Sequence, residues 1–174
     1  MLVNPLTRQV LNANPKGDNQ YVNPDGPAKD PIRRWFYGEG MGPKITGEEF
    51  DADNDPEFSK SLSKFPVVAD PVYRGSRITR KAIKSLLKSG KVTVPRFKSG
   101  SKSKEFARGW AIDHDQPKTH PVVYTLEDSG ASDISDVNPF QQEAIIPRSN
   151  YRVRGMSGLG DHISVILRRI KDEQ

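Results

Sequence analysis

Between Pro66 and Ile170 short β-forming runs alternate with turn chemistry, and this alternation limits the fold more than any other feature. "FPVVADPVYRG" reads as a buried strand: Val67, Val68, Val72 and Tyr73 are β-formers, and Gly75 is expected to end the run. "SRITRKAIKSLLKSG" spaces Ile78, Ala82, Ile83, Leu86 and Leu87 as a helix does, with Gly90 as its stop. "KVTVPRFKSGS" reads as a second strand running into a polar turn. "KSKEFARGWAI" suggests a helix with Phe106 and Trp110 four apart on one face. "HPVVYTLED" is a third strand, "SGASDISDVNPF" a loop, and Gln141–Ile146 opens a fourth strand. "YRVRGM" and "HISVILRRI" make two more around the "SGLGD" turn. Strands dominate the second half and helices come early. The expected class is therefore α+β with mainly antiparallel sheets rather than a doubly wound fold.

The first third contrasts with this. "NANPKGDNQYVNPDGPAKDP" is turn chemistry with almost nothing to bury, so residues 1–30 are expected to be irregular. Trp35, Phe36 and Tyr37 are too apolar to leave wet and should pack this segment onto the domain, while "FDADNDPEFSKSLSKF" can open a short helix. The expected division is 1–65, an irregular or short-helical segment that docks on or tethers the domain, and 66–174, the core. At 174 residues, with 34% hydrophobic residues, one real core is affordable.

Several functions are excluded or disfavoured. The absence of cysteine removes disulfides, thiolate catalysis and the usual structural zinc sites. "MLVNPLTRQVLNANPKG" lacks the continuous apolar core and cleavage pattern of a signal peptide, and no run approaches the roughly 20 apolar residues of a membrane span. A soluble chain acting in the cytoplasm of a host or target cell is expected, with a monomer as the simplest state. "DADNDPE" spaces acids like a calcium loop, but Pro56 stands where the tight-turn glycine belongs and Leu62 where the bidentate glutamate belongs. "GEGMG" at 38–42 lacks a preceding strand and a following helix, so it reads as a turn rather than a phosphate loop. His114, His120 and His162 have no metal-ligand spacing, and no metal is expected. No serine sits in a nucleophile-elbow context.

Three short motifs, taken in order, carry a functional reading. "VYRG" presents Arg74, "RFKSGS" presents Ser99 and Ser101, and "NPFQQEAIIP" presents Phe140, Gln141 and Glu143 before an aliphatic run and a proline. This order resembles the arginine–serine–glutamate family of mono-ADP-ribosyltransferases, the clostridial C3- and iota-type toxins and their phage and bacterial relatives. The resemblance covers about residues 66–170. The chain departs from the pattern at Gly100, where the middle of the serine motif is usually threonine. The resemblance implies an ADP-ribosyltransferase-like fold, with two small mainly antiparallel sheets forming an NAD cleft and helices on the N-terminal side.

It also implies roles. NAD is the substrate, bound by Arg74, Gly75, Ser99, Ser101 and Glu143. Cleavage of the nicotinamide–ribose bond passes through an oxocarbenium-like state that a carboxylate stabilises, as in glycosidases. Glu143 takes that part, Ser99 holds it in register, and Arg74 offers a fixed donor fork to the phosphate or ribose. Arg96 and Arg108 are candidates for further phosphate contacts, with plain surface charge an equal reading; Tyr73 reads as a packing residue. On a strand, Gln141 and Glu143 point to one face and Gln142 to the other. The resemblance then makes Gln141 the acceptor-recognition residue, with Phe140 either a further contact to the acceptor or a residue that pins the loop. An amide cannot deprotonate a guanidinium but can hydrogen-bond another amide or a base edge. The resemblance, in which glutamate at the position of Gln141 goes with arginine acceptors, therefore implies a non-arginine acceptor, asparagine or glutamine on a protein, with a guanine base as the lesser reading. The same site could turn NAD over with water as a glycohydrolase. A rival of another class, a basic binding or virion structural module, rests on the net charge of +5 and "FKSGSKSK".

Overall fold

The structure, a computed structural model, describes residues 32, 35 and 52–171. These fall into two compact units, one of residues 32, 35, 52–66 and 132–142, the other of 67–131 and 143–171. The expectations for residues 1–30, for Phe36 and Tyr37 and for "GEGMG" lie outside the described residues.

In the first unit a single 3-10 turn, Ala52–Asn54, leads into helix α1, Pro56–Leu62. The acids that imitate a calcium loop serve this helix. Asp55 is its N-cap, accepting from the amides of Glu57 and Phe58 at 2.9 and 3.3 Å, and Pro56 occupies the first turn, where no amide is needed. Helix α1 buries Phe58 against Trp35, ring centroids 5.4 Å apart. Trp35 is buried, as its aromatic run predicts. The 132–142 stretch of the same unit is turn-rich. The Asp133 carboxylate accepts from the Ser135 amide and hydroxyl at 2.9 and 2.6 Å, and Ile134 and Val137 are buried.

The second unit is a sheet carrying two helices. Its elements are β1 (Val72–Thr79), α2 (Arg80–Ser89), β2 (Lys91–Val94), β3 (Lys98–Ser101), α3 (Lys104–Asp113) and β4 (Thr119–Glu127). After β5 (Ser132–Asp133), which belongs to the first unit, come β6 (Glu143–Ile146), β7 (Ser149–Gly158) and β8 (Ile163–Arg169). The strand order runs β2-β7-β8-β4-β1-β3-β6. Every one of these neighbours pairs antiparallel except β4 and β8, which are parallel. The α+β class and the mainly antiparallel pairing match expectation. The expectation of two small sheets needs amendment, because the ladders join into one hydrogen-bonded order. The link is slight: β1 and β3 share a single pair, Tyr73 with Ser101. One face of the sheet holds the core, built from Val72, Leu86, Val122, Leu126, Ala144, Ile146, Tyr151, Val165 and Leu167.

Other boundaries differ from the sequence expectation, each for a physical reason. Strand β1 starts at Val72, leaving Val67 65% exposed, and it runs through Gly75 to Thr79. Glycine there is a packing device rather than a stop. A Cβ on Gly75 would lie 2.1 Å from the Ala107 carbonyl oxygen, so only a bare backbone lets α3 lie on the strand. Ile78 accordingly belongs to β1. Helix α2 begins after it, with the Thr79 hydroxyl accepting from the Ala82 amide at 3.1 Å and Gly90 closing the end at φ 64°. "KVTVPRFKSGS" is two strands. Pro95 has no amide to continue a ladder, and the chain leaves β7, partner of β2, for β1 and β6 on the far side of the sheet. The fourth expected strand starts at Glu143, since Gln141 and Gln142 lie in a turn and Gln142 has φ 46°. The alternation argument that set Gln141 and Glu143 on one face therefore does not apply.

Candidate active site

Arg74, Ser99, Ser101 and Glu143 lie on three successive strands, β1, β3 and β6. On β1, Arg74 stands opposite Tyr124 of β4 and reaches the other way: its Nη1 donates to the Ser99 carbonyl oxygen at 2.6 Å and approaches the Ser99 Oγ at 3.5 Å. The first contact is a short charge-assisted bond and fixes one side of the guanidinium; the second is at the limit of hydrogen bonding.

The two serines of β3 have different neighbours across the β3–β6 ladder. Ser101 is directly opposite Glu143, and Ser99 is opposite Ile145. Directly opposed residues share a face with Cβ atoms about 4.5–5.5 Å apart, while diagonal neighbours stand about 7–8 Å apart. Ser101 is thus the nearer hydroxyl to Glu143. Both are buried, Ser101 at 2% and Glu143 at 4% exposure, so the carboxylate is held away from bulk water, where its interactions are stronger. The turn that follows is locked by its own hydroxyls. The Ser103 amide donates to Ser101 Oγ at 2.9 Å, and Ser103 Oγ caps α3 by accepting from the Phe106 amide at 3.1 Å.

Gly100 lies mid-strand opposite Ala144, where a Cβ would come 2.8 Å from the Ile146 Cδ1. A threonine there would meet that methyl and, at 3.2 Å, the Tyr73 carbonyl oxygen. At Gly75 the obstacle is the backbone of α3. Tyr73, half-buried, is the partner of Ser101 in the β1–β3 pair. Gln141 is buried and Phe140 is 57% exposed in the turn ahead of β6. Arg96 is exposed. Arg108 is engaged by Asp161 and, at 3.8 Å, by Glu105. The bond to Asp161 raises the Arg108 guanidinium above its usual value, and the same bond, followed by the Asp161–His162 bond of 2.6 Å, holds the Asp161 carboxyl below its own.

Tyr124 is the residue near this site that sequence reasoning missed. Burial pushes its phenol above the usual 10.0, and the Arg74 guanidinium partly opposes that rise. Strand alternation alone would have put Tyr124 on the face of Val122 and Leu126, but only the β1–β4 register sets it against Arg74. Among the described residues no group of three or more His, Cys, Asp or Glu could hold a metal ion, and no helix is long and apolar enough to cross a membrane.

The fold recurs in solved structures. The chain is similar to the ADP-ribosyltransferase Vis in complex with agmatine, with TM-score 0.57 and 19% identity over 66% of this chain and 55% of that one. It is similar to the Vis toxin from Vibrio splendidus, with TM-score 0.53 and 21% identity over 66% and 54%. The same enzyme in complex with an inhibitor, M6, gives TM-score 0.54 at 21% identity over 66% and 55%. The chain therefore spans about half the length of the structures it matches. No protein-family model and no curated protein sequence matches it. The fold is that of the ADP-ribosyltransferases, as the three motifs imply.

Proposed function

We propose that this chain is a mono-ADP-ribosyltransferase that takes ADP-ribose from NAD and delivers it to a macromolecule, as a bacterial toxin or a phage-encoded modifier of host protein. The observation that most supports this is the register of β1, β3 and β6: a buried glutamate faces a buried serine, and an arginine from the next strand is tied to the same serine-bearing strand. In this reading NAD lies against those strands. The bond between the ribose C1 and the nicotinamide nitrogen breaks, and nicotinamide leaves with the electron pair. The Glu143 carboxylate accepts from the ribose 2′-hydroxyl and offsets the positive charge that develops at C1. Ser101 orients that carboxylate, and Ser99, through its carbonyl, keeps the Arg74 fork aimed at a phosphate or ribose oxygen. The acceptor then bonds to C1 and loses a proton. Gln141 and Phe140 are the residues this reading assigns to the acceptor. The Gln141–x–Glu143 order favours an amide side chain, asparagine or glutamine on a protein, over arginine.

The test incubates purified protein and its Glu143→Gln variant with labelled NAD and cell lysate. Label should pass to a discrete protein band at a rate that the variant lowers by a factor on the order of 10² to 10³. NAD consumption with no labelled acceptor in any lysate would identify a glycohydrolase instead. No NAD consumption by the folded wild type would remove the enzyme reading altogether.

A further inference from the structure

A row of cations lies away from "FKSGSKSK", on β2, β7 and β8. On β2, β7 and β8 one set of side chains faces the core: Val92, Val94, Tyr151, Val153, Val165 and Leu167. The opposite face carries cations in cross-strand register. Lys91 stands directly opposite Arg152, and Arg152 directly opposite Arg168. Strands lie about 4.8 Å apart, so this is a row of like charges at close spacing, an arrangement that costs stability where nothing neutralises it. Arg154 joins the row at a β-bulge, where the ladder skips from Val153 to Gly155. Relief is partial. Glu127 grips Arg154 through Nε at 2.9 Å and Nη2 at 3.2 Å and touches Arg168 Nε at 3.4 Å; Asp128 reaches Arg168 at 4.0 Å. Among the described residues no carboxylate pairs with Lys91 or Arg152. Arg154 and Arg168 remain 56% and 58% exposed despite their pairing, and a cavity of about 190 Å³ opens among Arg152, Arg154, Arg168 and Arg169.

We infer that this face of β2, β7 and β8 docks the phosphodiester backbone of a nucleic acid. The ligand that repays a row of closely spaced, under-neutralised cations is a polyanion of comparable charge density. Duplex nucleic acid offers about one charge per 1.7 Å of its axis, far denser than the mixed-sign surface of a folded acidic protein. Three of the cations are arginines, whose forks match phosphate oxygens in pairs. Beside Lys91 and Arg152 on the same two strands lies a neutral donor–acceptor pair, Thr93–Asn150 at 2.8 Å. Among the described residues no exposed aromatic ring lies in the row to stack on a base, so recognition is of backbone rather than sequence. The site is independent of the NAD chemistry and concerns where the protein works, at or beside nucleic acid.

Fluorescence anisotropy with a labelled DNA duplex, and with an RNA duplex of the same sequence, tests this over a salt series. If Lys91, Arg152 and Arg168 each neutralise one phosphate, affinity falls roughly 40-fold between 50 and 200 mM salt. Arg152→Ala and Arg168→Ala should each flatten the log–log salt slope by about 0.9. Lys102→Ala, a basic residue of the "FKSGSKSK" run outside this row, should leave the slope unchanged. The inference is overturned by absence of binding at low salt, by slopes indifferent to Arg152 and Arg168, or by equal affinity for polyglutamate of matched length. Preference for one duplex over the other identifies which nucleic acid is bound.

Discussion

Replacing Gly75 with alanine separates two reasons for a glycine in a presumed NAD-binding strand. A Cβ at this position would lie 2.1 Å from the Ala107 carbonyl oxygen, 3.0 Å from its carbon and 3.1 Å from the Ala111 amide nitrogen, all of them helix backbone. No side chain can rotate away, so α3 must lift from β1 by about 1 Å to restore ordinary contact. Ala107 and Ala111, 2% and 0% exposed, form the underside of that helix. A gap of this size forfeits a quarter to a half of each dispersion contact beneath it. Overpacking commonly costs about 1–3 kcal/mol, and a rigid backbone obstacle puts this case at the upper end, about 3 kcal/mol. Gly109, on the same helix with nothing within 4 Å of its Cβ direction, is the internal control. Gly109→Ala should stabilise by about 0.5–1 kcal/mol through helix propensity alone. Urea unfolding followed by circular dichroism should therefore separate the two variants by close to 4 kcal/mol with m values unchanged. A Gly75→Ala protein within about 0.5 kcal/mol of wild type would refute the reasoning. If that protein had also lost NAD affinity, the glycine would be there for the ligand and not for the helix.

Two further outcomes follow from the same strands. Removing the Arg74 charge as Arg74→Met should raise the Tyr124 phenol further, because that guanidinium lowers a value which burial raises. Neutral Tyr124 contributes stability that is complete below pH 10.0 and lost as pH rises through its higher folded value, so the variant should shift this alkaline loss upward. Ultraviolet difference titration against a Tyr124→Phe background reads the shift, and an unmoved curve would mean that Arg74 does not face the phenol. Gly100→Ala should destabilise by about 1 kcal/mol through the Ile146 Cδ1, and Ile146→Val, which removes that methyl, should recover most of the loss in a double-mutant cycle. Additive effects would show that Ile146 is not the obstacle.

How much of this was legible in the sequence depended on the range of the forces involved. Helices α2 and α3 are local matters of apolar spacing and could be read directly, with Gly90 as the stop of α2, while the Thr79 and Ser103 caps went unread and Ile78 was placed in the helix. Strands β4, β7 and β8 were legible for the same reason. Gly75 was misread as a stop because its meaning lies in α3, some thirty residues downstream. Pro95 was read through, although a proline between two β-forming runs divides them when each has a different partner. Gln141 was placed on a strand because alternation assumes ordinary φ, and Gln142 breaks it with a left-handed one. For the site, residue types and their order were visible, so Arg74, Ser99 and Glu143 could be picked out. Which serine stands opposite the glutamate could not be, since a register belongs to a pair of strands and not to either alone.

The single Tyr73–Ser101 pair between β1 and β3 bears on mechanics as well as topology. On one side of it β1 is paired with β4 along its whole length, and on the other β3 and β6 are paired residue for residue. A bend along that line would break no ladder bond other than this one pair. Arg74 crosses that line to the Ser99 carbonyl, a side-chain tie beside the single backbone rung, and the core shared by Val72, Ala144 and Ile146 spans it too. In the reading proposed above, a dinucleotide lying across β1 and β3 would add a second tie, and amide exchange at the Ser101 rung would slow on its binding more than in the ladders to either side.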